Sequence, residues 1–127
     1  MQLGFKEIHL VAADGGRQDQ FLSGLEILYK YSKKARLISW TQMERMEFVF
    51  QNWEEKIQPG TTISMLPVFG IAQGIVTKGL KYPLKNQSLI PGESPSGVSN
   101  LVVSTPVKIN VTKGRLLVVI QHKDFFY

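Results

Sequence analysis

Three short stretches hold residue types that do chemistry once a fold brings them to a surface. The first is Gly15-Gly16-Arg17-Gln18-Asp19. Glycines let a backbone approach a phosphate, and a helix N-terminus offers free N–H groups with a partial positive charge. Arg17 adds a planar fork for phosphate oxygens, and Asp19 suits a ribose hydroxyl, a metal or a water. The plainer reading is a tight turn with Asp19 as a helix cap; the stretch is neither a Walker loop nor a full dinucleotide fingerprint. The second is Lys78-Gly79-Leu80-Lys81-Tyr82-Pro83-Leu84. Here Tyr82 can offer a rigid aromatic face to a flat, even cationic, ring, with Pro83 stiffening the chain and Lys81 alternating to the opposite side. Its plainer reading is a ring packed over a sheet edge. The third is Ser96-Gly97-Val98-Ser99-Asn100, whose hydroxyls and amide can read the edge of a heterocycle or simply bond to their own loop backbone.

The elements that must position these stretches are legible in part. Glu7 to Ala13 reads as a short buried strand running into the Asp14-Gly15-Gly16-Arg17 turn. From about Gln18 to Ser32, apolar Phe21, Leu22, Leu25, Leu28 and Tyr29 fall on one helical face. Arg36 to Trp40 reads as a second strand, completing a βαβ-like unit that needs a partner sheet. From Thr41 onward short strand-like runs alternate with turns: Met46, Phe48 and Phe50 at every second place, then Thr61 to Val68 and Ile71 to Thr77. Val107, Ile109 and Val111 alternate into Lys113-Gly114, a plausible hairpin turn leading to Arg115–Gln121. Lys85 to Ser99, rich in Pro, Gly and Ser, reads as a long loop. The expected fold is therefore α+β, a βαβ segment over residues 1–40 followed by an antiparallel β-sandwich over residues 41–127.

Composition narrows the function classes. Hydrophobic residues make up 43% and charged residues 20% of 127, as in soluble domains. The longest apolar run, Leu116 to Ile120, is far short of the roughly 20 residues that span a bilayer, so no membrane is expected. The start MQLGFKEIHL lacks the pattern of a signal peptide. The absence of cysteine excludes disulfides, thiolate metal sites and cysteine nucleophiles, and a cytoplasmic location is the expectation. A net charge of +5 favours an anionic partner. The basic residues are scattered, which points to a phosphate-bearing small ligand at least as much as to nucleic acid. His9 and His122 have no partners at metal-ligand spacing, and Glu44/Glu47 and Glu54-Glu55 read as solvated faces.

Taken in order, the motifs carry more than they do singly. A strand ending in GGRxD, a helix, a strand, then GLKYPL and SxGxSN resembles the thiamine diphosphokinase family, with Gln18 and Gln20 as tolerable variants. The resemblance implies a Rossmann-like ATP-binding domain followed by a thiamine-binding β-sandwich, joined as a homodimer with thiamine between subunits. By position, Tyr82 matches the aromatic that stacks on the thiamine pyrimidine, and Ser96, Ser99 and Asn100 match the loop that meets the ring. Gly16, Arg17 and Asp19 match the turn on the nucleotide side. The family's acidic Mg²⁺-binding motifs belong upstream of position 1. The resemblance thus implies the C-terminal part of an ATP- and Mg²⁺-dependent enzyme, with catalytic residues upstream, no metal site within these residues and no activity alone. Two alternatives stand beside it: a non-catalytic thiamine- or heterocycle-binding module, and a basic nucleic-acid-binding β-domain.

Overall fold

The computed structural model describes residues 7–11, 17–93 and 97–122. Gly15, Gly16 and Ser96 lie outside the described residues. Strand β1 (Glu7–Val11) pairs in parallel with β2 (Arg36–Trp40), and helix α1 (Gln18–Tyr31) connects them. Parallel neighbours need such a crossover. Arg17 precedes the helix with extended φ/ψ of −69° and 142°, Asp19 stands in its first turn and Lys30 in its last. Both charges complement the helix dipole. Asp19 is thus inside the helix and is not its N-cap. Of the predicted apolar face, Leu25 and Leu28 are buried against Leu37, Met46, Phe48 and Leu117, whereas Phe21 and Leu22 stand exposed.

The remaining strands are β3 (Glu44–Glu55), β4 (Thr62–Leu66), β5 (Ala72–Lys78), β6 (Lys85–Leu89), β7 (Gly97–Leu101) and β8 (Val107–Gln121). All their pairings are antiparallel. The sheet runs β1-β2-β3-β8-β4-β7, and β5 with β6 branches from β8. Two expectations fail here. Lys113-Gly114 is not a hairpin turn, because β8 continues through it, and the Lys85–Ser99 loop has strands β6 and β7 at its ends.

What Lys113-Gly114 makes is a bend. Val49 pairs with Leu116 and Gln51 with Val111, so Phe50 alone faces residues 112–115. The excess forces β8 to kink, as bulges do. Gly114 takes φ of +90°, and a Cβ there would strike the Ile71 carbonyl oxygen. On the facing strand Gln51 has φ of 56°. Before the bend β8 pairs with β5; after it, with β4. The two wings share one apolar cluster that includes Val49, Ile63, Met65, Ile75, Ile109 and Val118.

Two polar contacts hold the bend. Arg115, directly after Gly114, donates to the Tyr29 carbonyl and to Ser32 Oγ at 3.2 Å, with its guanidinium 4.2 Å from the Tyr29 ring centre. This ties the end of α1 to β8. On β3, Glu47 before the bend and Glu55 after it both accept from Arg36, Glu47 through two bonds of 2.8 Å and Glu55 at 2.7 Å. Arg45 also pairs with Glu55. The Glu47 hydrogen bond holds Arg36 above the usual arginine range, while burial pulls Arg45 below it. Glu47 is only 3% exposed. The reading of Glu44/Glu47 and Glu54-Glu55 as solvated faces is therefore wrong for Glu47 and Glu55. It holds for Glu54, which is exposed and 3.5 Å from Lys108. Alternation alone could not show that an arginine on β2 reaches both carboxylates.

Arg36→Met should leave Glu47 charged, buried and unpaired, costing about 3 kcal/mol of stability in urea unfolding. Arg36→Met with Glu47→Leu should recover much of that loss. A single-variant loss below about 0.5 kcal/mol would show the staple to be inert.

Candidate functional site

The segment from Gly79 to Leu84 leaves β5 and crosses to the edge of β7. Thr77 closes it at the base: its N–H donates to the Leu84 carbonyl at 3.0 Å, and its hydroxyl accepts from the Leu84 N–H at 2.9 Å. Gly79 has φ of +91°, and a Cβ there would lie 2.7 Å from the Ser104 carbonyl oxygen, so the position excludes side chains. Leu80 is buried and bridges to Val102, and the Lys81 N–H donates to the Leu101 carbonyl at 2.8 Å. The segment thus lies along β7 as a short added strand.

Asn100 finishes the attachment. Its Oδ1 accepts from the Tyr82 N–H at 3.1 Å and from the Leu101 N–H at 2.9 Å, and its Nδ2 donates to the Tyr82 carbonyl at 2.8 Å. The amide replaces a backbone partner and fixes both polar groups of Tyr82. Asn100 is 5% exposed while Tyr82 is 60% exposed. One residue is the buried clasp and the other the presented ring. The Lys81 ammonium lies over that ring, 5.4 Å from its centre, which corrects the expectation that Lys81 turns to the opposite side.

Ser99 sits in a bulge. Met65 pairs with Gly97 and Ile63 with Asn100, so Val98 and Ser99 together face Ser64. Ser99 has φ of 61°, and its N–H donates to Ser64 Oγ at 3.0 Å. Its side chain stays exposed. Gly97 is needed for close packing, since a Cβ there would lie 2.6 Å from the Met65 carbonyl oxygen. Ser64 and Thr77 support the site through their hydroxyls, and neither carries a sequence signal that marks it.

The nucleotide-side candidates stand elsewhere. Arg17 and Asp19 are exposed and bond to each other at 2.5 and 3.1 Å, and Asp19 also accepts from the Gln20 N–H at 2.9 Å. Arg17 follows β1, at one end of the strand path, and Asn100 is on β7 at the other.

The histidines serve packing. His9 Nδ1 accepts from Trp40 Nε1 at 2.8 Å and its Nε2 bonds Glu7 at 2.7 Å, while His122 tilts against Trp40 at 5.7 Å. Among the described residues no group of three His, Asp or Glu could hold a metal ion, and no helix is long and apolar enough to cross a membrane. A groove of about 780 Å³ lined by Met43, Arg45, Lys56, Pro59, Thr61 and His122, among others, does not include Tyr82. The Tyr82 ring is an open platform.

The chain superposes on solved structures titled thiamin pyrophosphokinase. That from Geobacillus thermodenitrificans is 20% identical with a TM-score of 0.85, covering 99% of this chain and 59% of the other. The Bacillus subtilis protein is 23% identical with a TM-score of 0.80, covering 94% and 56%. The Candida albicans protein is 17% identical with a TM-score of 0.76, covering 91% and 44%. The chain thus spans less than two thirds of each. Among curated protein sequences no match is found. The family model described as the thiamin pyrophosphokinase, vitamin B1 binding domain matches residues 52–116. That stretch runs from the second half of β3 to the bend in β8 and contains Tyr82, its Asn100 clasp and the Ser99 bulge. More than half the chain lies within the match, and the chain belongs to the thiamin pyrophosphokinase family through its vitamin B1 binding domain.

Proposed function

We propose that the chain binds thiamine with the ring of Tyr82 against the aminopyrimidine. The observation that carries this is the exposed Tyr82 ring on a backbone fixed by a buried amide, within the stretch matched to the vitamin B1 binding domain. A fixed exposed ring loses little entropy on stacking a flat ligand. Ser99, exposed at its bulge, is the candidate to meet the ring edge; Ser96, outside the described residues, keeps that role by resemblance. Asn100 acts one step back, since its amide groups bond to the chain around Tyr82.

The wider reading is that these residues form the thiamine half of a thiamine diphosphokinase. Such an enzyme moves a pyrophosphoryl group from ATP to the hydroxyethyl oxygen of thiamine, giving thiamine diphosphate and AMP. Residues 1–40 would then be the end of a Rossmann-like ATP domain, with Gly16, Arg17 and Asp19 facing nucleotide, and residues 41–127 the thiamine-binding sandwich. Mg²⁺ would supply charge neutralisation on the transferred group, held by residues other than those described here. A cytoplasmic setting fits that substrate pair.

A homodimer belongs to this reading. Reacting atoms must come within about 3–3.5 Å, whereas Arg17 opens the helix that follows β1 and Asn100 is on β7, the two end strands of the path. A second copy can bring its nucleotide-side turn to the Tyr82 face. Light scattering at tens of micromolar should show twice the 14.3 kDa chain mass if dimer dissociation constants of that order apply. A monomer at that concentration would refute the shared site.

Calorimetric titration of thiamine tests the binding reading. Tyr82→Ala should weaken binding roughly three- to thirty-fold, with Tyr82→Phe and Tyr82→Trp close to the parent. Equal binding by Tyr82→Ala, or equal damage from Tyr82→Phe, rules out stacking. Asn100→Ala should weaken thiamine by a similar factor by freeing the Tyr82 backbone. In the double variant the two losses should not add; full additivity would assign Asn100 a separate role.

A further inference from the structure

The charge around the Tyr82 ring is opposite to what a cationic ligand wants. In the sequence between Glu55 and Asp124 the sole carboxylate side chain is Glu93, against eight Lys and Arg. Within that stretch Lys78, Lys81 and Lys85 bracket Tyr82, and all three are exposed. Lys78 and Lys108 pair directly across β5 and β8, a placement that like charges disfavour. Lys108 is partly offset by Glu54 at 3.5 Å. Among the described residues, Lys81 forms no ion pair.

The backbone of Lys81 is also held in place. Its N–H is bonded to the Leu101 carbonyl, its neighbour Tyr82 is clasped by Asn100, and its ammonium lies 5.4 Å from the Tyr82 ring centre. A ligand stacked on the face under the ammonium must displace it or lie beside it, and one on the opposite face still feels its charge across the ring. Thiamine carries a fixed positive charge on its thiazolium. Its phosphate esters carry the same rings with an anionic tail that an ammonium attracts.

We propose that Lys81 sets the charge preference of the Tyr82 platform, favouring phosphorylated thiamine over thiamine itself. This rests on the reading that Tyr82 stacks the aminopyrimidine. In the enzyme it makes Lys81 a specificity residue that holds the diphosphate product and opposes the cationic substrate. A ligand charge brought to about 5–6 Å from the ammonium in a water-like dielectric changes affinity roughly three- to four-fold, in opposite directions for the thiazolium and for a phosphate tail.

The test titrates thiamine, thiamine diphosphate and inorganic diphosphate into the full chain, with Lys81→Met, Lys81→Arg and Tyr82→Ala beside it. The parent should bind thiamine diphosphate more tightly than thiamine. Lys81→Met should shrink that ratio about tenfold, by tightening thiamine and weakening the ester, and Lys81→Arg should restore it. Raising the salt should shrink the parent's ratio and leave that of Lys81→Met nearly fixed. If Tyr82→Ala weakens both ligands while Lys81→Met leaves the ratio unchanged, stacking stands and the role of Lys81 is overturned. If inorganic diphosphate competes as well as the ester, the lysines form a general anion patch and the proposal fails. If the parent binds neither thiamine compound, both this inference and the binding reading fail.

Discussion

The structure depends on the bend that β3 and β8 share. Strands of 12 and 15 residues cannot stay flat over their whole length against one compact core. One residue on β3 opposite four on β8 breaks the ladder and turns both strands. The turn costs backbone strain, which Gly114 largely avoids by having no side chain to meet Ile71. Arg115 then ties the kinked strand to α1, and Arg36 bonds the two halves of β3 to one guanidinium. Losing both holds would leave the bend to the strand pairing and the apolar cluster.

The site is a consequence of that bend. Tyr82 hangs from β5, which pairs with the first half of β8. Asn100 lies on β7, which reaches the second half of β8 through β4. The two residues belong to different wings, and they meet because both wings pack on one apolar cluster. The bonds between the Asn100 amide and the Tyr82 backbone therefore link the wings as well as presenting the ring. Side-chain amides suit this work, since one planar group supplies both donor and acceptor in the geometry of a peptide. An aspartate would lack the donor, and a leucine would leave the Tyr82 N–H unbonded.

Local pattern made the parallel unit legible through period 3.6 in α1 and a strand on each side of it, but β1, expected to be buried, is largely exposed because it is an edge strand of the sheet. The pattern also misled at the bend. In β8 the inward residues are Val107, Ile109 and Val111, then Leu116, Val118 and Ile120, so the phase slips between 111 and 116. A hairpin turn and a bulge both produce such a slip, and Lys113-Gly114 has the composition of a turn. Only the pairing of both halves with β3 separates them. The burial of Glu47 was hidden for a similar reason, because its partner Arg36 is on another strand. The order of the GGRxD, GLKYPL and SxGxSN stretches pointed to the family, since such order is set by a whole fold. The contrast between an exposed Tyr82 and a buried Asn100 was not in the motif, because either residue type can stand at a surface or beneath it.

An open aromatic face has a limited capacity for affinity. A stacked pair adds roughly 0.5–1.5 kcal/mol beyond the area it buries, whereas micromolar binding takes about 8 kcal/mol. Tyr82, 60% exposed and flanked by exposed Lys81 and Pro83, covers one side of a flat ligand and leaves the other in water. On the proposed reading the ring therefore orients thiamine more than it retains it. Most of the affinity must come from a surface that closes over the opposite face and excludes solvent. The described residues offer no such cover beside Tyr82, and Arg17 opens the helix that follows β1, the strand at the other end of the path from β7. A platform of this kind works as half of a composite site: it fixes the plane and edge of the ligand, and the surface that completes the site supplies both the burial and the reacting group.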